Sequence, residues 1–247
     1  MKGVILWLNP EVSVVDISHD ITSHDIEEAA FTLLAAYSAF PPGTVHVVVV
    51  DPGVGSARRW ILVEAGGYSF VGPDNGVFSY IFERERGARV FEVTNKDYFR
   101  SSISTTFHGR DVFAPIASAV AGGVVPEVLG VQIQNPVTLQ PLKPENARNG
   151  QIRGRIIHID RFGNCITNLT PVELTSRMMN DGAALTVNGK KITSFRRFFS
   201  EPGTVKQKLF GIWGSAGFLE LAATNQSAAK ILKAKRGQKV IVEIKKR

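Results

Sequence analysis

The sequence predicts two folded domains: an α/β domain built on a central, mainly parallel sheet, then an all-β domain. Three observations carry this. Four consecutive valines, Val47 to Val50, read as a strand buried on both faces, the pattern of a parallel sheet, and they stop abruptly at Asp51-Pro52-Gly53. Segments with helical spacing surround that strand in the first half of the chain. Beyond residue 151 the pattern changes to short alternating strands separated by turn residues. A chain of 247 residues is long enough for one large domain or two modest ones.

Taken in order, residues 26–40 carry apolar side chains at helical spacing, with Asp25 as N-cap and Pro41-Pro42-Gly43 as the stop. A strand is expected over 44–50. Residues 60–64 and 68–71 form a hairpin around Gly66-Gly67. Gly72-Pro73-Asp74-Asn75-Gly76 is a dense turn signal that leads into a helix near 77–85. Another helix is expected near 111–122, with Asp111 in its first turn and Gly122-Gly123 at its end. Three prolines and little apolar periodicity mark a seam over 135–151. The domains are therefore placed at 1–140 and 152–247, with 141–151 as the linker. Strands are expected at 152–159, 183–187, 204–213, 217–222 and 238–244.

Composition narrows the functional class. The chain is 44% apolar, and no run approaches the ~18 apolar residues of a membrane span. Its first residues, Met1 to Leu8, break at Asn9-Pro10 without a small-residue cleavage site, so no secretory signal is expected. A single cysteine, Cys165, excludes an intrachain disulfide and multi-cysteine zinc sites and fits a reducing cytoplasm. The net charge of +7 is scattered, and its densest cluster, Lys230 to Arg247, reads as a solvated surface. No nucleic-acid recognition motif accompanies it, and neither nucleic acid nor membrane is expected as a partner. The chain also lacks Gly-x-Gly-x-x-Gly, a phosphate loop and a Gly-x-Ser-x-Gly elbow, which argues against nicotinamide enzymes, nucleotide-triphosphate hydrolases and α/β-hydrolases.

The chemistry-bearing residues fall into a few groups. Asp51 stands at a strand tip, where open α/β sheets bind ligands, and Arg58 follows a Gly-Val-Gly turn. His108 precedes Gly109 immediately before a helix start, where backbone amides and the helix dipole suit polar or anionic groups. Asp74-Asn75 offers a carboxylate and an amide at a strand end. In the second domain, Asp160-Arg161-Phe162-Gly163-Asn164 brings an Asp, an Asn and an aromatic to a strand–turn–strand junction; these either grip a ligand or bond their own backbone. His19-Asp20 and His24-Asp25 repeat five residues apart, a spacing that does not match the i, i+3 or i, i+4 pattern of compact helical metal sites. No metal is expected.

Four of these segments, Asp51-Pro-Gly-Val-Gly, Gly72-Pro-Asp-Asn-Gly, Phe107-His-Gly-Arg-Asp and Asp160-Arg-Phe-Gly-Asn-x-x-Thr-Asn, stand in the order found in one family. The chain resembles the S-adenosyl-L-methionine (SAM) hydroxide adenosyltransferases, or SAM hydrolases, relatives of the fluorinase and chlorinase. Asp16-Ile-Ser-His-Asp-Ile and Phe40-Pro-Pro-Gly-Thr-Val-His agree as well. The resemblance implies a β-barrel-like C-terminal domain and a homotrimer with active sites at subunit interfaces. It implies conversion of SAM and water to adenosine and methionine, with SAM as substrate and no cofactor. The catalytic set carries over to Asp51, Arg58 and His108. Asp160 would take the methionine amino group, Asn164 the adenine and Ser215 the methionine end, with Phe162 on a ring face and Asn75 as a further substrate contact.

Alternatives within and outside the family remain at this point. Halogenase relatives line a halide pocket with hydroxyls and carry an extra loop; here Val54 and Gly109 stand at those hydroxyl positions and the loop is absent, which favours water. Family members also carry a strand and a Thr-Asp-Phe-Gly segment, whose Asp grips the ribose, ahead of the segment matching Met1-Lys2-Gly3; it is absent from this sequence. A SAM- or adenosine-binding protein without turnover is therefore a second expectation. A metal-dependent hydrolase using His19, His24 and His108 is a third.

Overall fold

The computed structural model describes residues 1–146, 151–201 and 208–244. The chain divides into two compact units, Met1–Pro141 and Leu142–Arg247.

The first unit begins with helix α1 (Lys2–Leu8) and α2 (Ile26–Ala36). Asp25 caps α2 by accepting from the Glu28 amide at 2.9 Å, the bond expected of an Asp at that position. Ala29, Ala30, Phe31, Leu33 and Leu34 form its buried face. The α-helix ends four residues earlier than expected, because Tyr37–Ala39 tightens into a 3₁₀ turn before the two prolines. Strands β1 (Val45–Val47), β2 (Trp60–Ala65) and β3 (Tyr68–Pro73) follow, then α3 (Ser79–Arg84), β4 (Arg89–Val93), a π-helical segment (Gly109–Phe113) running into α4 (Ala114–Ala121), α5 (Pro126–Leu129) and β5 (Gly130–Ile133).

The sheet order is β1-β3-β2-β4-β5. Only β1 and β3 run parallel, with Val45 opposite Ser69 and Val47 opposite Val71; the other three pairings are antiparallel. The expectation of a mainly parallel sheet is thus corrected to a mixed one. The physical reason lies in the turn: Gly66 and Gly67 both adopt positive φ, which closes a two-residue hairpin and forces β2 and β3 antiparallel. The valine run misleads because β1 lies at the end of the sheet order. The ladder weakens after Val47, although Val48 still donates to the Val71 carbonyl at 3.0 Å, and Val49 is exposed. Leu62, Val71, Phe91, Val93, Val112, Phe113, Ile116 and Leu129 form the core beneath the sheet. Each such fully buried side chain contributes roughly 1.5–3 kcal/mol.

The second unit contains β6 (Glu145–Asn146), β7 (Ile152–Ile159), β8 (Cys165–Thr167), α6 (Ser176–Asn180), β9 (Ala184–Val187), β10 (Lys190–Ile192), β11 (Phe195–Arg196), β12 (Leu209–Trp213), β13 (Leu219–Ala223), α7 (Ala228–Leu232) and β14 (Lys239–Glu243). These strands form a nine-stranded, curled half-barrel sheet in the order β10-β9-β14-β7-β8-β13-β12-β11, with β6 on β7. A register shift between Ile156 and His158 marks β7, the strand in the middle of the order that pairs with β14 on one side and β8 on the other. The unit is not all-β. Thr175 and Ser227 cap two one-turn helices, accepting from the amides of Met178 and Lys230, and such short helices leave no periodicity to read. The expected strand over 204–213 is present as Leu209–Trp213; residues 204–207 lie outside the described residues, as do 147–150 of the expected linker and Lys245, Lys246 and Arg247 of the basic cluster. Among the described residues no helix is long and apolar enough to cross a membrane.

Candidate functional site

The loop after β1 builds the centre of the site. Val54 donates to the Asp51 carbonyl at 3.2 Å and Ser56 to that of Gly53 at 3.1 Å, which folds the chain back so that Arg58 faces Asp51. Gly55 adopts φ +82°, and a Cβ there would lie 2.7 Å from the Thr105 carbonyl oxygen. Only glycine lets this loop lie directly against the segment that leads to His108. Both side chains of the ion pair are nearly buried. Arg58 Nε donates to Asp51 Oδ1 at 2.6 Å and Nη2 to Oδ2, a two-pronged pairing that fixes the plane of the guanidinium.

His108 immediately precedes the π-helical segment and is buried. Its Nδ1 receives two hydrogen bonds, from Arg58 Nη2 at 2.9 Å and from the Trp60 indole Nε1 at 3.1 Å. The Trp60 and His108 rings stand edge to face, with centroids 5.2 Å apart. Guanidinium and indole nitrogens only donate, so Nδ1 is the acceptor and the neutral ring carries its proton on Nε2. Burial, and next the Arg58 charge, lower the His108 pKa below its ordinary value, against the pull of Asp51 and Asp111. Arg58 commits Nε and both Nη2 hydrogens to these partners. Its buried Nη1 has no acceptor among the described residues.

Asp111 secures the loop that delivers His108. Fully buried, it accepts from Arg110 Nε at 2.7 Å, Arg110 Nη2 at 2.9 Å and the Ser104 amide at 2.9 Å. The Arg110 hydrogen bonds hold its carboxyl down at about 2. The turn at 72–76 serves the same end from the other side. Asn75 Nδ2 donates to the Val50 carbonyl at 2.9 Å and Oδ1 accepts from Val77, so this side chain steadies the residue before Asp51. Asp74 binds Arg59 and the Val137 amide, tying part of the proline-rich seam onto the first unit.

In the second unit, Asp160 and Asn164 are bonded to each other. Asp160 Oδ1 accepts from the amides of Phe162 and Asn164, and Oδ2 from Asn164 Nδ2 at 2.9 Å. This is the self-bonded turn that Asx residues favour. It leaves Phe162 projecting, 82% exposed. Ser215 is exposed in the turn between β12 and β13, where Gly217 donates to the Gly214 carbonyl at 3.0 Å. Glu220 packs against Gly214, and burial together with the Asp160 charge raises its pKa. Cys165 is buried in the core, its thiol pushed up to about 12.

The structure therefore brings Asp51, Arg58 and His108 together, places Asn75 beside them through Val50, and places Asp160, Phe162 and Asn164 on one turn. His19 instead pairs with Asp16 at 3.1 Å on the surface, and His24 adopts φ +68° just ahead of the α2 cap. Among the described residues no three His, Cys, Asp or Glu side chains form a metal-holding group. Sequence reasoning missed Trp60 and Glu220. The signal for Trp60 was available: two residues beyond Arg58 in extended chain, it points to the same side. Glu220 gave no signal, because an acidic residue within an alternating strand reads as a solvent-facing position.

Comparison with known proteins bears on this arrangement. The family model for the SAM hydroxide adenosyltransferase N-terminal domain matches residues 1–130, and the model for the C-terminal domain matches 154–241. The chain is 36% identical to the (R)-S-adenosyl-L-methionine hydrolase of Methanocaldococcus jannaschii over 94% of its own length and 85% of that protein. It is 34% identical to the protein of the same name from Thermus thermophilus, over 97% and 91%. Its fold matches the crystal structure of an uncharacterized conserved protein from Thermotoga maritima with a TM-score of 0.87, at 32% identity and covering 98% and 92% of the two chains. With matched domains at both ends and these levels of identity, the chain belongs to the SAM hydroxide adenosyltransferase family.

Proposed function

We propose that this protein hydrolyses (R)-S-adenosyl-L-methionine to adenosine and L-methionine by in-line attack of water on C5′. The observation that carries the reading is a pair of uncommitted donors, the buried Arg58 Nη1 and the His108 Nε2–H, on a guanidinium and an imidazole locked together beside the Asp51 carboxylate. The sulfonium is already a good leaving group, so no acid is needed to protonate it. What the reaction needs is a nucleophile held in line and out of bulk water, which contributes up to ~7–11 kcal/mol.

The two donors bind the water oxygen and favour its hydroxide-like form. As the new C5′–O bond forms, the C5′–S pair moves onto sulfur and leaves neutral methionine. His108 has no free lone pair, since Nδ1 is occupied and Nε2 is protonated, so the proton passes to Asp51 or through it to solvent. SAM is the substrate and no cofactor or metal takes part.

Substrate recognition is assigned to the second unit and to Asn75. Asp160 takes the methionine amino group, Asn164 the adenine, Ser215 the methionine end and Phe162 a ring face; Asn75 uses its second Nδ2 hydrogen. The domains are taken as 1–140 and 152–247. The working form is a homotrimer with active sites at subunit interfaces, in the cytoplasm, acting on a small molecule rather than nucleic acid. The family resemblance and the exposure of Phe162 and Ser215 support this assignment.

The test is incubation with SAM in ¹⁸O-water and mass spectrometry of the products. Adenosine carrying the label at its 5′ oxygen, lost in His108→Ala, is expected. Bound SAM without adenosine release would replace this reading with a binding protein.

A further inference from the structure

We infer that Trp60 is a positioning residue for this reaction: its indole N–H, together with Arg58, locks His108 as the Nε2-protonated tautomer, so that the imidazole always presents a donor to the water. The inference rests on the hydrolytic reading for its consequence, but the tautomer lock itself is a property of the free protein.

Trp60 opens β2, where it lies opposite Pro73 in the ladder. Its ring stands edge to face against Phe99 at 5.3 Å and against His108 at 5.2 Å, so its orientation is held from both sides. That leaves the indole N–H aimed at Nδ1 at 3.1 Å. An indole nitrogen has no lone pair to accept with. The bond therefore exists only while Nδ1 is unprotonated, and the same holds for the 2.9 Å bond from Arg58 Nη2.

Two ring states are thereby disfavoured. The Nδ1-protonated tautomer would set N–H against N–H twice, and so would the imidazolium. The charged groups that face His108 are Arg58, Asp51 and Asp111, and the two carboxylates favour a charged ring. Arg58 opposes them and is itself paired with Asp51. Trp60 acts on the same equilibrium without a charge of its own, through a donor that only a neutral Nδ1 can satisfy. The partner bonded to one ring nitrogen decides what the other nitrogen does.

The test is Trp60→Phe, which keeps an aromatic ring and removes the N–H. Imidazole ¹⁵N spectra, with the His108 signal identified by its loss in His108→Ala, follow the tautomer and titration directly. In the unsubstituted protein His108 should appear as the Nε2–H form. In Trp60→Phe its pKa should rise by about one unit, the size expected for one lost hydrogen bond. The acid limb of the kcat/KM profile should move to higher pH by the same amount, so the loss is largest at the acid end. A kcat/KM that falls equally at every pH, with tautomer and titration unmoved, would make Trp60 structural only and overturn the inference.

Should Trp60→Phe fail to fold, the unsubstituted protein still decides. The Trp60 indole N–H resonance, assigned by elimination with Trp7→Phe and Trp213→Phe, should shift with pH in step with His108. A resonance that ignores His108 overturns the inference. If SAM is not hydrolysed at all, the hydrolytic reading fails while these spectra still judge the lock.

Discussion

Asn75 holds the carbonyl of Val50 through its side-chain amide at 2.9 Å, and so fixes the backbone that delivers Asp51. Asn75→Ala removes this bond and the one to the Val77 amide. The expected loss is about 1–2 kcal/mol of stability. A fall in kcat should accompany it, because Asp51 and through it Arg58 lose their setting. Thermal unfolding and steady-state kinetics check this; an unchanged Tm with a raised KM alone would restrict Asn75 to substrate contact.

Gly55→Ala should disturb the same centre from the opposite side. The new Cβ would meet the Thr105 carbonyl at 2.7 Å in a left-handed backbone that alanine rarely adopts. A cost of about 1–3 kcal/mol is expected, together with reduced turnover as the His108 segment is pushed away. Wild-type Tm and activity in this variant would contradict the packing described.

Arg58→Lys tests the fork. A lysine supplies one point charge and cannot hold Asp51, His108 and the water at once. Turnover should fall about 10²–10³-fold, the usual cost of losing a preorganised donor. KM should change little, and a similar loss in KM and none in kcat would move Arg58 out of the chemistry.

Acid sensitivity of the fold should trace to His46. This imidazole lies stacked on Phe70 at 5.2 Å, its Nε2 without a partner among the described residues, and burial lowers its pKa from the ordinary 6.5 to about 4. The unfolded chain therefore binds the proton first. The contribution is fully present above about pH 6.5 and is lost as pH falls through about 4, in total roughly 3 kcal/mol. His46→Phe should flatten the stability curve across that window in chemical denaturation; an unchanged slope would assign the acid arm elsewhere.

Phe162→Ala should separate binding from folding. Because the residue is 82% exposed, removal of its ring is expected to alter stability by less than about 0.5 kcal/mol. Loss of a stacked ring should nevertheless raise the KM for SAM about five- to tenfold. Calorimetry with SAM reads the same change, and unaltered affinity would remove Phe162 from the substrate site.

Much of this was legible in the residues because local chemistry acted locally. Asp25 capped the helix it preceded, Gly66-Gly67 made its hairpin, and Gly122 ended α4. The Asp51–Arg58–His108 grouping was legible from motifs rather than from periodicity. Strand direction was not, because a run of four valines says nothing about which neighbour it pairs with; nor was its burial, since Val49 is exposed and the other three are only partly covered. The two small helices escaped because one turn carries no period. Trp60 was passed over for its apolar bulk, despite its spacing from Arg58: in a strand-forming run an indole reads as core, and its single polar atom counts only once a partner is known.

Cys165 carries a practical consequence. It is the chain's one cysteine, sealed in the core of the second unit with its thiol held protonated. An aromatic disulfide reagent should therefore find nothing to react with until that core parts. The rate at which colour develops becomes a clock for breathing of the half-barrel, readable in an ordinary cuvette without introducing any label.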